Sequence, residues 1–144
     1  MKYLKIVVVG FLLFLANQQS FAQDVVVGDE SAINVAKAEE FYNSGIEKFN
    51  AKDLSGAIAD FDEAIALVPT FEKALFNRGS VKFQIKDYAG AILDLNTVIQ
   101  INPAYVGSYF LKARSHYERN EKEQALENFT KEIKNFLRTK ADSI

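Results

Sequence analysis

Residues 53–69 read DLSGAIADFDEAIALVP, and residues 87–103 read DYAGAILDLNTVIQINP. The two stretches start 34 positions apart and are identical at seven of seventeen positions. Extending the comparison to residues 38–71 and 72–105 gives twelve identities, and a more divergent third copy at 106–137 keeps the small and apolar positions. The chain therefore contains an internal repeat with a period of 34 residues.

Each copy carries the apolar spacing of two amphipathic helices. A polar break between them contains Asp53 in the first copy and Asp87 in the second, and either carboxylate can cap the helix that follows. Pro69 and Pro103 disfavour helix at the residue before them and separate one copy from the next. Each copy is therefore predicted to form a helix–turn–helix hairpin.

Small residues recur where the two helices of a hairpin must approach closely. In the first helices these are Gly45, Gly79 and Ala113, and in the second helices Ala57, Ala91 and Ala125. A hairpin of this size cannot bury its own apolar face, so neighbouring copies are expected to stack, and about three are needed for stability.

This pattern resembles the tetratricopeptide repeat, with glycine at position 8, alanine at 20, an aromatic residue or leucine at 24 and proline at 32. The resemblance covers residues 38–137. It implies an all-α fold, a right-handed α-α superhelix of three hairpins whose concave surface is lined by the first helices. The third copy departs from the pattern, with Glu132 in place of a small residue and Leu137 in place of proline, as fits a terminal copy.

The N-terminal segment, residues 1–22, has the layout of a secretory signal peptide: a basic start, an apolar run and a small-x-small ending at Ala22. The apolar run at residues 6–16 is shorter than the roughly 20 residues of a membrane span. We therefore predict cleavage after Ala22 rather than an uncleaved anchor, no membrane span afterwards, and export to the periplasm or secretion. Residues 23–37 are predicted to form a leader and an early extension of the first helix, and 138–144 a C-terminal tail.

In proteins of the family that this chain resembles, ligands usually bind the concave face. Two rows of aromatic residues fall there, Tyr42 with Phe76 and Phe110, and Phe49 with Phe83 and Tyr117. They suit an extended peptide or an amphipathic helix. The rings of the Tyr42 row could equally pack between neighbouring first helices, and for the Phe49 row this packing is the favoured interpretation. Carried over position by position, the predicted partner-binding residues are Tyr42, Asn43, Ile46, Phe76, Asn77, Ser80, Phe110, Leu111 and Arg114.

One subtype of the family binds the C-terminal carboxylate of heat-shock chaperones through two lysines, two asparagines and an arginine. Of the corresponding positions here, only Asn77 fits, since the others are Tyr42, Ile46, Gly107 and Leu111. The cations that a carboxylate needs are missing, so this ligand is disfavoured.

The last helix leaves Ile133, Phe136 and Leu137 with no following copy to cover them. Repeat arrays usually end in a polar capping element, and none follows Leu137. A homo-oligomer is therefore an alternative hypothesis, in which the chain is a self-assembling structural subunit. A third hypothesis is a glycan or small-ligand binder that uses the aromatic row.

The composition argues against several other functions. A formal net charge of −2 lacks the basic surplus of a nucleic-acid binder. The chain has no cysteine, and its single histidine, His116, is predicted to be a packed core or rim residue. Acidic residues at Asp60, Asp62 and Glu63 are expected to form a solvated helix face rather than a general acid–base pair. We therefore predict a protein or peptide partner, no cofactor, no metal and no enzymatic activity.

Overall fold

The computed structural model describes residues 30–142, which form six helices. The predicted signal peptide and residues 23–29 of the leader lie outside the described residues. The described residues fall into two compact units that divide after Ala36, and the hairpins lie in the second unit. The helices are α1 (30–50), α2 (Leu54–Leu67), α3 (Glu72–Gln84), α4 (Tyr88–Ile101), α5 (Ser108–Glu118) and α6 (Lys122–Ala141).

From α2 to α6, each helix packs against the next one along the chain. The fold is all-α, an α-α superhelix of helix hairpins, as the repeat predicts. Helix α1 includes residues 32–37, so the expected extension of the first helix is present. Helix α6 continues to Ala141, so most of the segment predicted to be a tail is helical.

The turns inside the hairpins share one backbone conformation. Lys52, Lys86 and Asn120, each 34 residues apart, have φ values of 68°, 66° and 62°, in the left-handed region. In the first turn, the Lys52 N–H donates to the Phe49 carbonyl at 3.0 Å and the Asp53 N–H to the Lys48 carbonyl at 2.9 Å. The same pair of bonds recurs at the other two turns. This is the Schellman motif, which satisfies the last carbonyls of α1, α3 and α5.

The second helices begin at the aspartates that the sequence indicates. The Asp53 carboxylate accepts a hydrogen bond from the Gly56 N–H at 2.9 Å, and Asp87 accepts from Gly90 at the same distance. These bonds confirm both predicted caps, because each satisfies a first-turn N–H that has no partner within the helix. In the third hairpin Glu121 occupies the N-cap position without a side-chain cap.

Close approach of the paired helices depends on their small residues. A Cβ at Gly45 would lie 2.6 Å from the Phe61 ring, closer than any real side chain could be, whereas one at Gly79 would lie 3.4 Å from the Cβ of Asp94. Ala113, at the equivalent position of the third copy, is fully buried. The predicted role of these positions is therefore confirmed.

Asp60 is buried, and the prediction that it belongs to a solvated face is wrong. Its carboxylate accepts a hydrogen bond from the Ser44 hydroxyl at 2.6 Å and lies 2.7 Å from the Lys48 ammonium. Burial alone would raise the pKa of Asp60, but the hydrogen bonds from Lys48 and Ser44 outweigh it, and the pKa lies below its ordinary value. Asp62 and Glu63 are exposed as predicted.

The second copy repeats this arrangement 34 residues later. Arg78 forms two hydrogen bonds with the buried carboxylate of Asp94, Nε to Oδ2 at 2.9 Å and a terminal nitrogen to Oδ1 at 2.6 Å. Lys82 lies 2.9 Å from the same carboxylate. Arg78 also reaches back to Asp62 of the previous hairpin at 2.6 Å, so this network joins two neighbouring copies.

The third copy has Asn128 at the position of these aspartates. Asn128 is buried, and its side-chain nitrogen donates to the Gln124 carbonyl at 2.7 Å. Within residues 30–142, its side-chain oxygen has no hydrogen-bond partner. His116, at the position of Lys48 and Lys82, instead lies 2.6 Å from Glu121. The half-buried environment that the sequence predicts for His116 is therefore confirmed, and its partner comes from the turn.

Candidate functional site

The nine predicted partner-binding residues lie on α1, α3 and α5, three from each helix, and we call this surface the first-helix face. On each helix they occupy one side, because the third residue of each set lies three and four positions after the other two, and residues at those spacings are neighbours on a helix. Helix α3 also contacts α5 directly, so the rows from these two helices are adjacent.

The first two rings of the Tyr42 row pack against aromatic residues at the ends of their copies. The Tyr42 ring lies 5.2 Å from that of Phe71, and the Phe76 ring lies 5.1 Å from that of Tyr105. Phe71 and Tyr105 are the last residues of their copies, a position at which the third copy has Thr139. Tyr42 and Phe76 are accordingly half-buried.

Phe110, the third ring of this row, is different. It contacts only Phe129 among the described aromatic residues, at 5.7 Å, and 47% of it remains exposed. Phe76 is covered both by Tyr105 and by the start of the next hairpin at Gly107, and Phe110 has neither an aromatic residue at the corresponding position nor a following hairpin among the described residues. Phe110 is therefore the ring of the row that offers most surface to a ligand.

A second feature lies beside Phe110. The Arg114 guanidinium is 4.7 Å from the centre of the Phe83 ring and 5.9 Å from that of Phe110. Phe83 is held in turn by Tyr88, at 5.4 Å between ring centres. We call Phe83, Phe110 and Arg114 the arginine cluster. Cation–π contacts of this length fix the position of a guanidinium whose side chain is otherwise long and mobile.

The remaining predicted residues form the other half of the face. The Asn77 amide donates to the Tyr42 hydroxyl at 3.1 Å and so links α1 to α3. The Ser80 hydroxyl donates to the Phe76 carbonyl, and Ile46 packs on the core of the first hairpin. Asn43 is exposed and Leu111 half-buried. These residues shape the face, while the exposed polar and aromatic groups concentrate at Asn43 and at the arginine cluster.

Tyr105 packs on Phe76 of the first-helix face, and it is not among the partner-binding residues predicted from the sequence. Burial, followed by the electrostatic effects of Tyr42 and Glu72, raises its pKa above the ordinary value, so its hydroxyl is a neutral group near the Tyr42–Asn77 pair. The signal was available in the repeat, since Phe71 and Tyr105 share one position.

The three predicted edge residues on α6 are all exposed. Ile133 and Leu137 share a side of the helix with Leu126 and Thr130, at spacings of three and four residues, and we call these four residues the α6 stripe. Phe136 lies beside Ile133 and also lines a groove of about 520 Å³ beside residues 104–106, together with Glu132, Asn135, Thr139 and Lys140. Two hydrogen bonds hold α6 to that loop, from the Gly107 N–H to Glu132 at 3.1 Å and from Asn135 to the Pro103 carbonyl at 2.8 Å.

None of the helices in residues 30–142 is long and apolar enough to cross a membrane. The same residues contain no group of three or more histidine, aspartate and glutamate side chains placed to hold a metal ion.

Comparison with known proteins supports a tetratricopeptide-repeat domain. The tetratricopeptide repeat family profile matches residues 72–105, which is the second copy. Among curated protein sequences, none matches the chain.

Several solved structures have a similar fold. A crystal structure of MamA is 22% identical, with a TM-score of 0.72, over 73% of this chain and 61% of that chain. The first TPR of Spaghetti (RPAP3), bound to the HSP90 peptide SRMEEVD, is 21% identical, with a TM-score of 0.68, over 70% of this chain and 80% of that one. The TPR2B domain of yeast Sti1, in a complex with pHsp70, is 27% identical, with a TM-score of 0.70, over 75% and 86%.

Proposed function

We propose that the chain is a non-catalytic protein–protein interaction module, a scaffold of the cell envelope, that binds a peptide segment or a partner domain on its first-helix face. The observation that carries the proposal is the arginine cluster, where a half-exposed ring lies beside a guanidinium held in place by two aromatic faces. Export rests on residues 1–22, whose sequence has the features of a signal peptide.

The cluster suits a ligand that combines an apolar side chain with a carboxylate. Phe110 offers contact area to the apolar part. Stacking through the face of a guanidinium does not use its N–H donors, so Arg114 can still form two parallel hydrogen bonds with a carboxylate. Aromatic residues and arginine are also the residue types that contribute most to binding energy at protein interfaces.

Structures of this fold with bound peptides support a peptide ligand for this chain. The residues at the chaperone-binding positions of this chain argue that its peptide differs from the C-terminal peptide of a heat-shock chaperone. Spaghetti was solved with an HSP90 peptide that ends in EEVD, and the Sti1 domain with pHsp70. The positions that correspond to the chaperone-binding clamp carry Tyr42, Ile46, Gly107 and Leu111, and only Asn77 fits, so the cations that a C-terminal carboxylate needs are missing. We therefore place the anionic group of the ligand at Arg114, on the third hairpin.

Crosslinking and affinity purification from the native envelope test this proposal, comparing the unaltered protein with a Phe110→Ala, Arg114→Ala variant. Both side chains are exposed, so the variant should keep its helical content and melting temperature. A matched control is Leu93→Ala, which removes an exposed apolar side chain from α4. We expect the variant alone to lose partners, and the Kd of a recovered partner to rise at least about thirtyfold, as truncation of a hot spot costs about 2 kcal/mol or more. Equal recovery by all three proteins would contradict the proposal.

A further inference from the structure

The α6 stripe has a counterpart in each earlier hairpin, and there it is covered. Its residues Leu126 and Ile133 occupy the positions of Ile58 and Ile65 on α2. Those two isoleucines pack on a core cluster that includes Ala74 and Val81 of the next hairpin. Leu126 and Ile133 have no such helix against them and are 69% and 60% exposed, and Leu137 is 58% exposed. The stripe is therefore a surface that the architecture normally buries.

A head-to-tail stack of copies does not provide that cover. Ala74 and Val81 are the residues that the next hairpin contributes to the cluster on which Ile58 and Ile65 pack, and their equivalents on α1 are Glu40 and Glu47, both exposed. Placing α1 of another copy on the stripe would bury two carboxylates against leucine and isoleucine, at a high desolvation cost. The two ends of the array are thus not complementary to each other.

The charges that flank the stripe point to a different arrangement. Along one side of it, Glu123 and Glu127 lie towards the N-terminus of α6, and Lys134 and Arg138 towards the C-terminus. The structure places the first three of these on one shallow groove of about 450 Å³ that also includes Leu126 and Thr130. The helix is therefore acidic at one end of its exposed face and basic at the other, which is the charge pattern of a surface that complements itself when reversed.

We propose that the α6 stripe pairs with the same stripe of a second copy in an antiparallel, two-fold symmetric dimer. Leu126 lies opposite the partner's Leu137, and Ile133 opposite the partner's Thr130. Glu127 then falls beside the partner's Lys134, and Glu123 beside the partner's Arg138. A two-fold interface uses the same patch on both subunits and closes after two copies. Parallel pairing would instead place the two charged sides on opposite flanks of the contact, where they would not meet.

The charges near the centre are compatible with this pairing. Lys131 lines the same groove close to the midpoint of the contact and is 2.6 Å from Glu127 of its own helix, so in the dimer Glu127 lies between Lys131 and the partner's Lys134. The two ends of α6, at Lys122 and Lys140, lie beyond the apolar contact, where water screens their charge. The apolar contact from Leu126 to Leu137 covers about three helical turns, which is smaller than a standard interface, so the dimer belongs to the weak class.

Charge-reversal variants of the full chain, purified as the cell processes it, test both the contact and its direction. The acidic side is reversed in Glu123→Lys, Glu127→Lys, and the basic side in Lys134→Glu, Arg138→Glu. Sedimentation equilibrium should show a dimer of the unaltered protein at concentrations near 100 µM, as expected for a weak interface. Each double variant alone should dimerise at least tenfold more weakly. An equimolar mixture of the two should form a one-to-one heterodimer, because every pair across the contact is then opposite in sign.

Other outcomes overturn the proposal. If the unaltered protein is a monomer at that concentration, the α6 stripe is not a homodimer contact, and its partner would be a different protein. Double variants that dimerise as well as the unaltered protein would place the contact elsewhere. A mixture that stays monomeric would show that the two variants are not weakened by charge pairs across the contact. Circular dichroism of each variant checks that helix content is unchanged, and Leu126→Gln, which removes an apolar group and no charge, should weaken the dimer independently.

Discussion

Neutralising Asp94 should destabilise the fold far more than neutralising Asp62, although both carboxylates bind the same guanidinium. Arg78 makes two short hydrogen bonds to Asp94, whose side chain is 6% exposed, and one to Asp62, whose side chain is 53% exposed. Asp94→Asn keeps the shape of the side chain but leaves Arg78 and Lys82 facing an uncharged amide. Removing one partner of a buried ion pair costs about 3–5 kcal/mol, and because Asp62 still binds Arg78 we expect about 2–4 kcal/mol.

Asp62→Asn is the matched control, since the same chemical change at an exposed pair costs about 0–1 kcal/mol. Urea unfolding followed by circular dichroism measures both values. In melting temperature, the Asp94 variant should fall by roughly 8–16 °C and the control by at most about 4 °C. An Arg78→Met background should reduce the difference, because only Lys82 of the two cations that Asp94 neutralises then remains. Equal losses for the two asparagine variants, or no change in the Arg78→Met background, would refute the reasoning.

Three further predictions concern the turns, the helix contacts and the buried acid of the first hairpin. Gly45→Ala should lower the free energy of unfolding by about 1–3 kcal/mol, because the new methyl group overlaps the neighbouring phenylalanine ring. Gly79→Ala should leave the free energy of unfolding unchanged or raise it by up to about 1 kcal/mol. Thermal melting of the two variants distinguishes these outcomes. Lys86→Gly should raise stability by about 0.5–1 kcal/mol in urea unfolding, since a left-handed backbone strains a lysine and not a glycine; a loss would contradict this. The pKa of Asp60 is lowered in the fold, so its contribution to stability is present above its unfolded pKa of about 3.9 and is lost as the pH falls through the lower folded value. Lys48→Met should reduce this pH dependence of stability in acid titrations monitored by circular dichroism. An unchanged pH profile would exclude the contact between Lys48 and Asp60 as its cause.

The fold could be read from the sequence because each of its local signals agreed with the repeat. Asp53 and Asp87 both predict a helix start, and both cap one. Gly45 predicts close approach, and the Phe61 ring fills the space beside it. Proline then separates the copies. When capping, turn and packing signals agree in this way, local pattern suffices to specify the fold.

Asp60 shows what pattern reasoning misses. Its position next to other acidic residues indicates a solvated face, because charged residues are rarely buried unless they are paired. The pairing comes from Ser44 and Lys48 on another helix, and only the packing of the hairpin brings them together. The 34-residue offset held a clue, since Asp60 and Asp94 are identical and Lys48 and Lys82 recur with them.

The sequence predicted which positions form the candidate site, but not how exposed each side chain is or which residues it contacts. Tyr42, Phe76 and Phe110 occupy equivalent positions, and the sequence gives them equal standing. Their exposures differ because an aromatic residue packs on each of the first two rings, and the start of the next hairpin also covers Phe76, whereas the third ring has neither. The stacking of Arg114 between two rings likewise depends on how neighbouring helices pack, which periodicity does not specify.

The asparagine in place of a buried aspartate has a consequence for how the chain opens. In a linear stack of hairpins each unit is held by its neighbours, so local unfolding proceeds from the ends. The third hairpin has one neighbour, lacks the buried ion pair, and leaves the Asn128 oxygen without a hydrogen-bond partner among the described residues. Backbone amides of α6 should therefore exchange with deuterated solvent sooner than those of α3 and α4. If α6 also forms the contact between subunits, hydrogen exchange in α6 slows as the protein is concentrated. Dimerisation would then complete the folding of the helix that forms the interface.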